Sequence, residues 1–361
     1  MEVKEFYRHR MYGPYNVGPR PDILGNLQPD LTVVENVLGT PREVGADRSL
    51  TGALYSADGE VVGQSLRRGN RHRHVTGEPA VAEAAAYEPE EAVYLGPLMR
   101  HFGHFLLEVL PRLWVFDQHK AQKVYFHPFR MRRDVPDFLS ETLKVLAGPE
   151  VEIRLIEEPT RFARLLIPSP LFHFNSQGSL AYWDWAQAFA ARVAPEPTGP
   201  ERVYVSRRRL DAKKKRLTLN EEALEAVFAA RGFEILHPQE LSFFEQIARM
   251  RACRLLAGCS GSAMHQALFM PKRSAVVCFD SRFTTSQHAI EAMGDHTGIH
   301  FQCLNELEPG GDVVFDESYL PVIEQEVDAL LADWPARLET PFTRPPRKYV
   351  ESGWANPPPG R

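Results

Sequence analysis

Cysteine is scarce in this sequence, and what there is does not pair. The 361 residues contain 4 Cys, at Cys253, Cys259, Cys278 and Cys303, with no C-x-x-C and no histidine at zinc-finger spacing. A disulfide framework and a structural zinc site are therefore not expected, and reduced thiols in the cytoplasm fit best. Long apolar runs are missing too: none could span a bilayer, and the opening MEVKEFYRHRMYGPY has no apolar core of signal-peptide length. We expect neither export nor a membrane span. A formal net charge of -5 argues against a general nucleic-acid or anionic-membrane binder. The partner is expected to be small.

Several catalytic signatures also fail. The hydrolase elbow G-x-S-x-G would need Gly where Ser262 stands, so a hydrolase using Ser260 with His265 loses its best support. G-x-G-x-x-G does not fit the same turn, and no G-x-x-x-x-G-K-[ST] occurs, which removes dinucleotide and P-loop readings. No D-x-D is present to hold a divalent metal between diphosphate oxygens. No metal and no other cofactor are expected.

What is present is an ordinary globular composition, 43% hydrophobic and 25% charged, on a chain long enough for two cores of about 150 residues each. Residues 1–90 are turn-rich and read as an irregular segment packed on the domain after it, with short strand candidates at 31–34 and 60–62. From position 91 strands and helices alternate: AVYL, a helix over 103–119, KVYF, a helix over 136–146, EIRLI and RLLIP. APEPTGP at 194–200 has linker composition. Residues 91–196 and 200–332 therefore read as two α/β domains. The second runs RVYVS, a helix over 221–231, FEIL, a helix over 243–252, RLLAG, a helix over 262–269 and AVVCF, a doubly wound pattern whose ligands gather at the strand ends. Asn220 is expected to cap the helix that Gly232 closes. Residues 333–361, with Trp334, Trp354 and many prolines, read as an extended strap.

Chemistry concentrates in a few places. In RLLAGCSGSAMHQALF, a strand, a small-residue turn and a helix come in order, so Ser260, Gly261, Ser262 and Ala263, with His265 and Gln266 on the first helical turn, form a candidate anion cradle. A purely structural turn is the plain alternative. VYVSRR ends a strand at Ser206, Arg207 and Arg208, where paired guanidiniums suit a pyrophosphate; Arg216 could fold back over the same ligand. In the helix from Gly103, His104, Glu108 and Arg112 share one polar stripe on an otherwise apolar helix. Either Glu108 and Arg112 pair internally, or Glu108 or His104 is a general base, with Pro111 breaking the helix nearby. Glu245 completes a capping box with Ser242 and could alternatively bind ribose hydroxyls.

These residues together resemble glycosyltransferase family 61, which includes capsular-polysaccharide transferases. The likeness rests on GHFLLEVLPRLW at 103–114, VYVSRR at 203–208, RLTLNEE at 216–222 and GFEILHPQELSFFEQ at 232–246 leading into GCSGSAMHQALFMP. The resemblance implies a GT-B-like fold, two Rossmann-like domains facing a cleft. It implies an inverting, metal-independent transfer from a nucleotide sugar, UDP-linked in the first instance, to a glycan or polysaccharide hydroxyl. Glu108 would be the base, and association with a polysaccharide assembly complex would be peripheral. Many members carry histidine at the position of Ser260 and asparagine at that of Gln266. Those departures motivate the alternative of a non-catalytic nucleotide-sugar-binding or scaffold protein.

Overall fold

The computed structural model describes residues 3–6, 9–14, 22–42, 45, 49–66, 73–74, 85–128, 134–210, 217–309 and 311–339. Its architecture is mixed α/β, with two principal sheets. The larger has seven strands in the order Val3–Phe6, His9–Tyr12, Thr297–Gln302, Ala275–Asp280, Leu255–Cys259, Arg202–Val205 and Glu234–Leu236. All its pairings are parallel except the terminal hairpin Val3–Phe6/His9–Tyr12. Leu255–Cys259 and Ala275–Asp280 are buried throughout, which explains why LLAGC and AVVCF are unbroken runs without charge rather than alternating ones. From Arg202–Val205 the chain goes out to the edge strand Glu234–Leu236, then returns to the other side as Leu255–Cys259. The order reverses between those two central strands, and a crevice opens at such a point beyond the strands' carboxyl ends.

The second sheet has six strands, Leu54–Tyr55, Leu31–Gly39, Thr160–Pro168, Ala86–Pro97, Lys123–His127 and Glu152–Leu155. Its last four are mutually parallel; Leu31–Gly39 joins antiparallel to Thr160–Pro168. The start of the chain is thus divided between the sheets, whereas its turn-rich composition suggests an irregular segment laid on one of them. His9–Tyr12 pairs in parallel with Thr297–Gln302, far along the chain.

Three helices go beyond those expected from the sequence pattern: Leu180–Val193, Thr285–Gly294 and Leu320–Glu339. The first is capped by Ser179, whose Oγ accepts the Tyr182 N–H at 3.1 Å. The last corrects an expectation, because residues 333–339 are its final turns and not the beginning of a strap. The remainder of that segment, 340–361, lies outside the described residues.

One apolar cluster serves both sheets. Its seam is aromatic: the Phe105 and Phe243 rings lie 5.4 Å apart, Phe102 and Phe138 5.4 Å, Phe102 and Phe243 5.5 Å, and Phe243 and Phe269 5.9 Å. Phe102 and Phe105 belong to the six-stranded half, Phe243 and Phe269 to the seven-stranded half. Edge-on aromatic pairs of this kind add to the burial of the rings themselves. Phe105, fully buried, is the test of this seam. Phe105→Ala is expected to lower stability by about 3–5 kcal/mol, measured by urea denaturation; an unchanged midpoint would show that the seam does not hold the halves together.

Candidate active site

The polar stripe sits on a helix that changes form twice. Phe102–His104 is one α turn, Phe105–Val109 is a wider π turn and Leu110–Asp117 is 3-10. Pro111 explains the change, since it has no N–H to give the Leu107 carbonyl and its ring crowds the preceding turn. The Leu110 N–H reaches back to Phe105 O, and the Leu106 carbonyl left over accepts the buried Tyr182 hydroxyl. Such π turns often occur at functional positions. Glu108 lies in this one, and His104 Nδ1–H donates to Glu108 Oε1 at 2.8 Å. His104 is 28% exposed and Glu108 12%, so the ring is the more accessible partner. Phe174 covers one side of the ring at 4.8 Å between centroids, with His101 edge-on at 5.6 Å. No partner for His104 Nε2 occurs among the described residues.

The second part of the site is the turn after Leu255–Cys259. The Ser260 N–H is committed to Phe279 O at 2.8 Å, while among the described residues no backbone carbonyl takes the N–H groups of Gly261, Ser262 and Ala263. The turn leads into a 3-10 helix of 6 residues, Met264–Phe269, shorter than the expected helix from position 262. Its dipole is correspondingly modest, and the positive charge comes chiefly from Arg207. From the end of Arg202–Val205 that side chain crosses the crevice, and its Nη1 donates to Ser260 O at 3.1 Å. A Cβ at Gly261 would sit 2.2 Å from the same nitrogen, so any larger residue would push this guanidinium aside. Glu221, fully buried, accepts the Arg207 backbone N–H at 3.0 Å and the Tyr204 hydroxyl at 3.1 Å. Burial pushes its carboxyl up to about 7. In the sequence Glu221 has no mark beyond its place in the first turn of a helix.

The two parts meet at Gly103. A Cβ there would lie 2.9 Å from Ser262 Cβ and 3.4 Å from His265 Cδ2. The base candidates therefore begin one residue from the turn that faces Arg207. His265 is held by Gln287, with Nδ1 and Oε1 3.0 Å apart. Burial drives its pKa down to about 4, and His104 lowers it further while Gln287 and Glu291 oppose the shift.

The remaining sequence candidates fall elsewhere. Arg208 turns from the crevice to Glu225, at 2.9 Å, and Glu222, at 3.6 Å. With Arg209, Glu225 and His237 it lines a cavity of about 330 Å³. Ser206 is buried and donates to Glu225 Oε1 at 2.6 Å. Arg112 donates to Pro168 O at 2.7 Å beneath Gly96, and burial lowers its pKa. Asn220, at φ 52, ties itself to Phe315 and Glu317, so it fastens a small three-stranded sheet of Thr218–Leu219, Val313–Phe315 and Leu304–Glu306 instead of capping with its side chain. Glu245 closes the capping box with Ser242, which holds its carboxyl below the usual range. Gln266 is buried at 1% exposure with no partner for Oε1 among the described residues. Arg216 lies outside the described residues.

Behind His265 lies a buried polar cluster that local sequence does not announce. Glu291 Oε2 accepts from His9 Nε2 at 2.8 Å and His300 Nε2 at 3.1 Å, while Oε1 accepts from Gln287 Nε2 at 3.0 Å. His300 Nδ1–H donates to Asp280 Oδ2 at 3.0 Å. His9, Glu291 and His300 offer ligand atoms within 4.8 Å of one another, as do Cys278, Asp280 and His300. In both sets these atoms bond chiefly to each other, which gives the cluster an account as a hydrogen-bonded ion network.

These contacts belong to an α/β protein in which a hydrogen-bonded His104–Glu108 pair lies near the turn that Arg207 reaches. The Glycosyltransferase 61 family model matches residues 102–277, so over that stretch the chain is similar to this family. That match supports glycosyltransferase activity, which implies a sugar donor and an acceptor. No curated protein matches the chain. Among the described residues no helix is long and apolar enough to cross a membrane.

The ion network has a consequence for stability. Glu291 and Asp280 raise His300 from its ordinary 6.5 to about 10 against the opposing effect of burial, and the histidines hold Glu291 well below its usual range. A raised histidine stabilises the fold fully below its unfolded pKa and loses that contribution as pH rises through the folded value. The melting temperature is accordingly expected to fall between pH 6.5 and about 10, with a smaller slope in His300→Gln. Parallel profiles for the two proteins would count against this charge assignment.

Proposed function

We propose that the chain is an inverting glycosyltransferase that moves a sugar from a nucleotide-diphosphate donor, UDP being the first to test, to a hydroxyl of a glycan or polysaccharide. The observation that carries this reading is the approach of Gly103 to Ser262 and His265, which sets His104 and Glu108 against the turn faced by Arg207. A GT-B-like arrangement agrees with the crevice at the strand-order reversal and with the second sheet across it. The four buried free cysteines accord with work in the cytoplasm.

In this mechanism the His104–Glu108 pair is the base. Because the ring is the more exposed of the two, we give proton transfer to His104 and orientation to Glu108; the residues alone left either open, and the family resemblance implied Glu108 as the base. The acceptor hydroxyl gives its proton to His104 Nε2 as its oxygen bonds to the anomeric carbon from the face opposite the diphosphate. The anomeric C–O bond breaks, and its electron pair leaves on the diphosphate oxygen. Glu108 stabilises the imidazolium through Nδ1–H, while Arg207 and the N–H groups of Gly261, Ser262 and Ala263 meet the charge growing on the leaving group. With these donors at the leaving oxygen and no D-x-D in the chain, we propose that no metal is required.

A thermal-shift screen of nucleotide diphosphates comes first, because a ligand of the native state raises its melting temperature. With the donor so found, His104→Ala and Glu108→Gln are each expected to lower kcat about 10²–10⁴-fold with little change in KM. Arg207→Met is expected to weaken diphosphate binding about tenfold or more, the loss of a charged hydrogen bond. Normal turnover in both base variants would rule out the dyad, and transfer that collapses on chelation and returns with a divalent ion would rule out metal independence.

A further inference from the structure

The orientation of the His265 ring is dictated from inside the protein. Glu291 is an acceptor through both oxygens: Oε2 takes His9 and His300, and Oε1 takes Gln287 Nε2 at 3.0 Å. The Gln287 amide has one way to satisfy this, with its NH₂ toward the carboxylate and Oε1 away from it. Oε1 then faces His265 Nδ1 at 3.0 Å and can only accept. The hydrogen must therefore sit on Nδ1. Nε2 is left with its lone pair and with no partner among the described residues, on a ring whose Cδ2 edge lies against Gly103.

We propose that Gln287 and Glu291 are positioning residues that lock His265 in its Nδ1–H tautomer, so that Nε2 receives a hydroxyl of the ligand instead of donating to a phosphate. The charge state agrees, since burial keeps the ring neutral at physiological pH. A lone pair aimed at a phosphate oxygen would be repelled, whereas a sugar or ribose hydroxyl supplies the hydrogen it needs. This revises the sequence expectation that His265 serves the anion cradle. It also divides the crevice: Arg207 and the turn take anionic oxygens, and His265 marks where the ligand becomes a polyol. The identity of the hydroxyl as a substrate group rests on the transferase reading above; the tautomer does not.

The tautomer is read directly in the full chain by long-range proton–nitrogen NMR on ¹⁵N-histidine protein, with His265→Phe assigning the signal. The expected pattern at neutral pH is a pyrrole-type Nδ1 and a pyridine-type Nε2, unchanged by saturating pyrophosphate. Gln287→Met, which removes the acceptor, and Glu291→Gln, which lets the amide turn over, are each expected to give averaged shifts; melting curves confirm that the variants fold. An Nε2–H tautomer or an imidazolium in the wild type, protonation of the ring on adding pyrophosphate, or an unchanged tautomer in both folded variants would overturn the proposal. Where neither variant folds, the wild-type signals decide it. Calorimetry then finds the hydroxyl. UDP is expected to bind about tenfold more tightly than 2′-deoxy-UDP if it is on ribose, or UDP-glucose than its 2-deoxy analogue if it is on the sugar. His265→Phe should abolish that preference, and retention of every wild-type preference in that variant would overturn the hydroxyl role. Failure of all four compounds to bind the wild type would tell against the UDP-donor reading while the NMR result stood.

Discussion

Everything at the site depends on the aromatic seam between the two sheets. Phe102 and Phe105 are anchored against Phe138 on one side and Phe243 on the other, and His104 lies between them in sequence. The rings thus fix the height and rotation of the helix start that carries His104 and Glu108. They also press Gly103 onto Ser262 and His265, where a larger residue would have nowhere to go. Hydrophobic packing here sets a polar distance, since a shift of the seam by a side-chain's width would part His104 from the anion crevice.

Charge is arranged by the same economy of space. Arg207 enters the crevice because Gly261 leaves room and because Glu221 holds its backbone from below. Arg208, the next residue, is drawn outward by Glu225 and Glu222. Two adjacent guanidiniums therefore have separate roles, one facing the crevice and one in a surface ion pair that contributes little to stability. Deeper in, Glu291 collects hydrogen bonds from two histidines and a glutamine, and through the glutamine it governs the ring at the surface of the crevice.

The range of each interaction decides how much of this is legible in the sequence. The central strands can be read because residues buried on both faces are apolar in succession, as they are through Leu255–Cys259 and from Ala275 to Phe279. The helix Phe243–Ala252 and its capping box are equally plain, since a cap is a contact between neighbours. Pro111 announces a break near Glu108 but not its form, because the π turn also needs the Tyr182 hydroxyl, 76 positions from Leu106, to satisfy a carbonyl. The pairing of Arg207 with the turn and of Arg208 with Glu225 depends on side-chain direction at a strand end, which composition does not encode. The histidine cluster is opaque for the simplest reason: His9, Asp280, Glu291 and His300 come from two strands, a helix and a terminal hairpin, and no spacing relates them.

The parallel pairing of His9–Tyr12 with Thr297–Gln302 gives the fold an order of assembly in time. His9 is separated from Glu291 by 282 positions, so on the ribosome it is made long before the carboxylate it will serve. Until then the first strand has no sheet to join and the cluster lacks one of its imidazoles. Contacts of such separation close late and slowly. Completion of the ion network behind His265 is thus tied to synthesis through Thr297–Gln302, and a product truncated before that strand, however well its early sheet has folded, would carry an unfinished crevice.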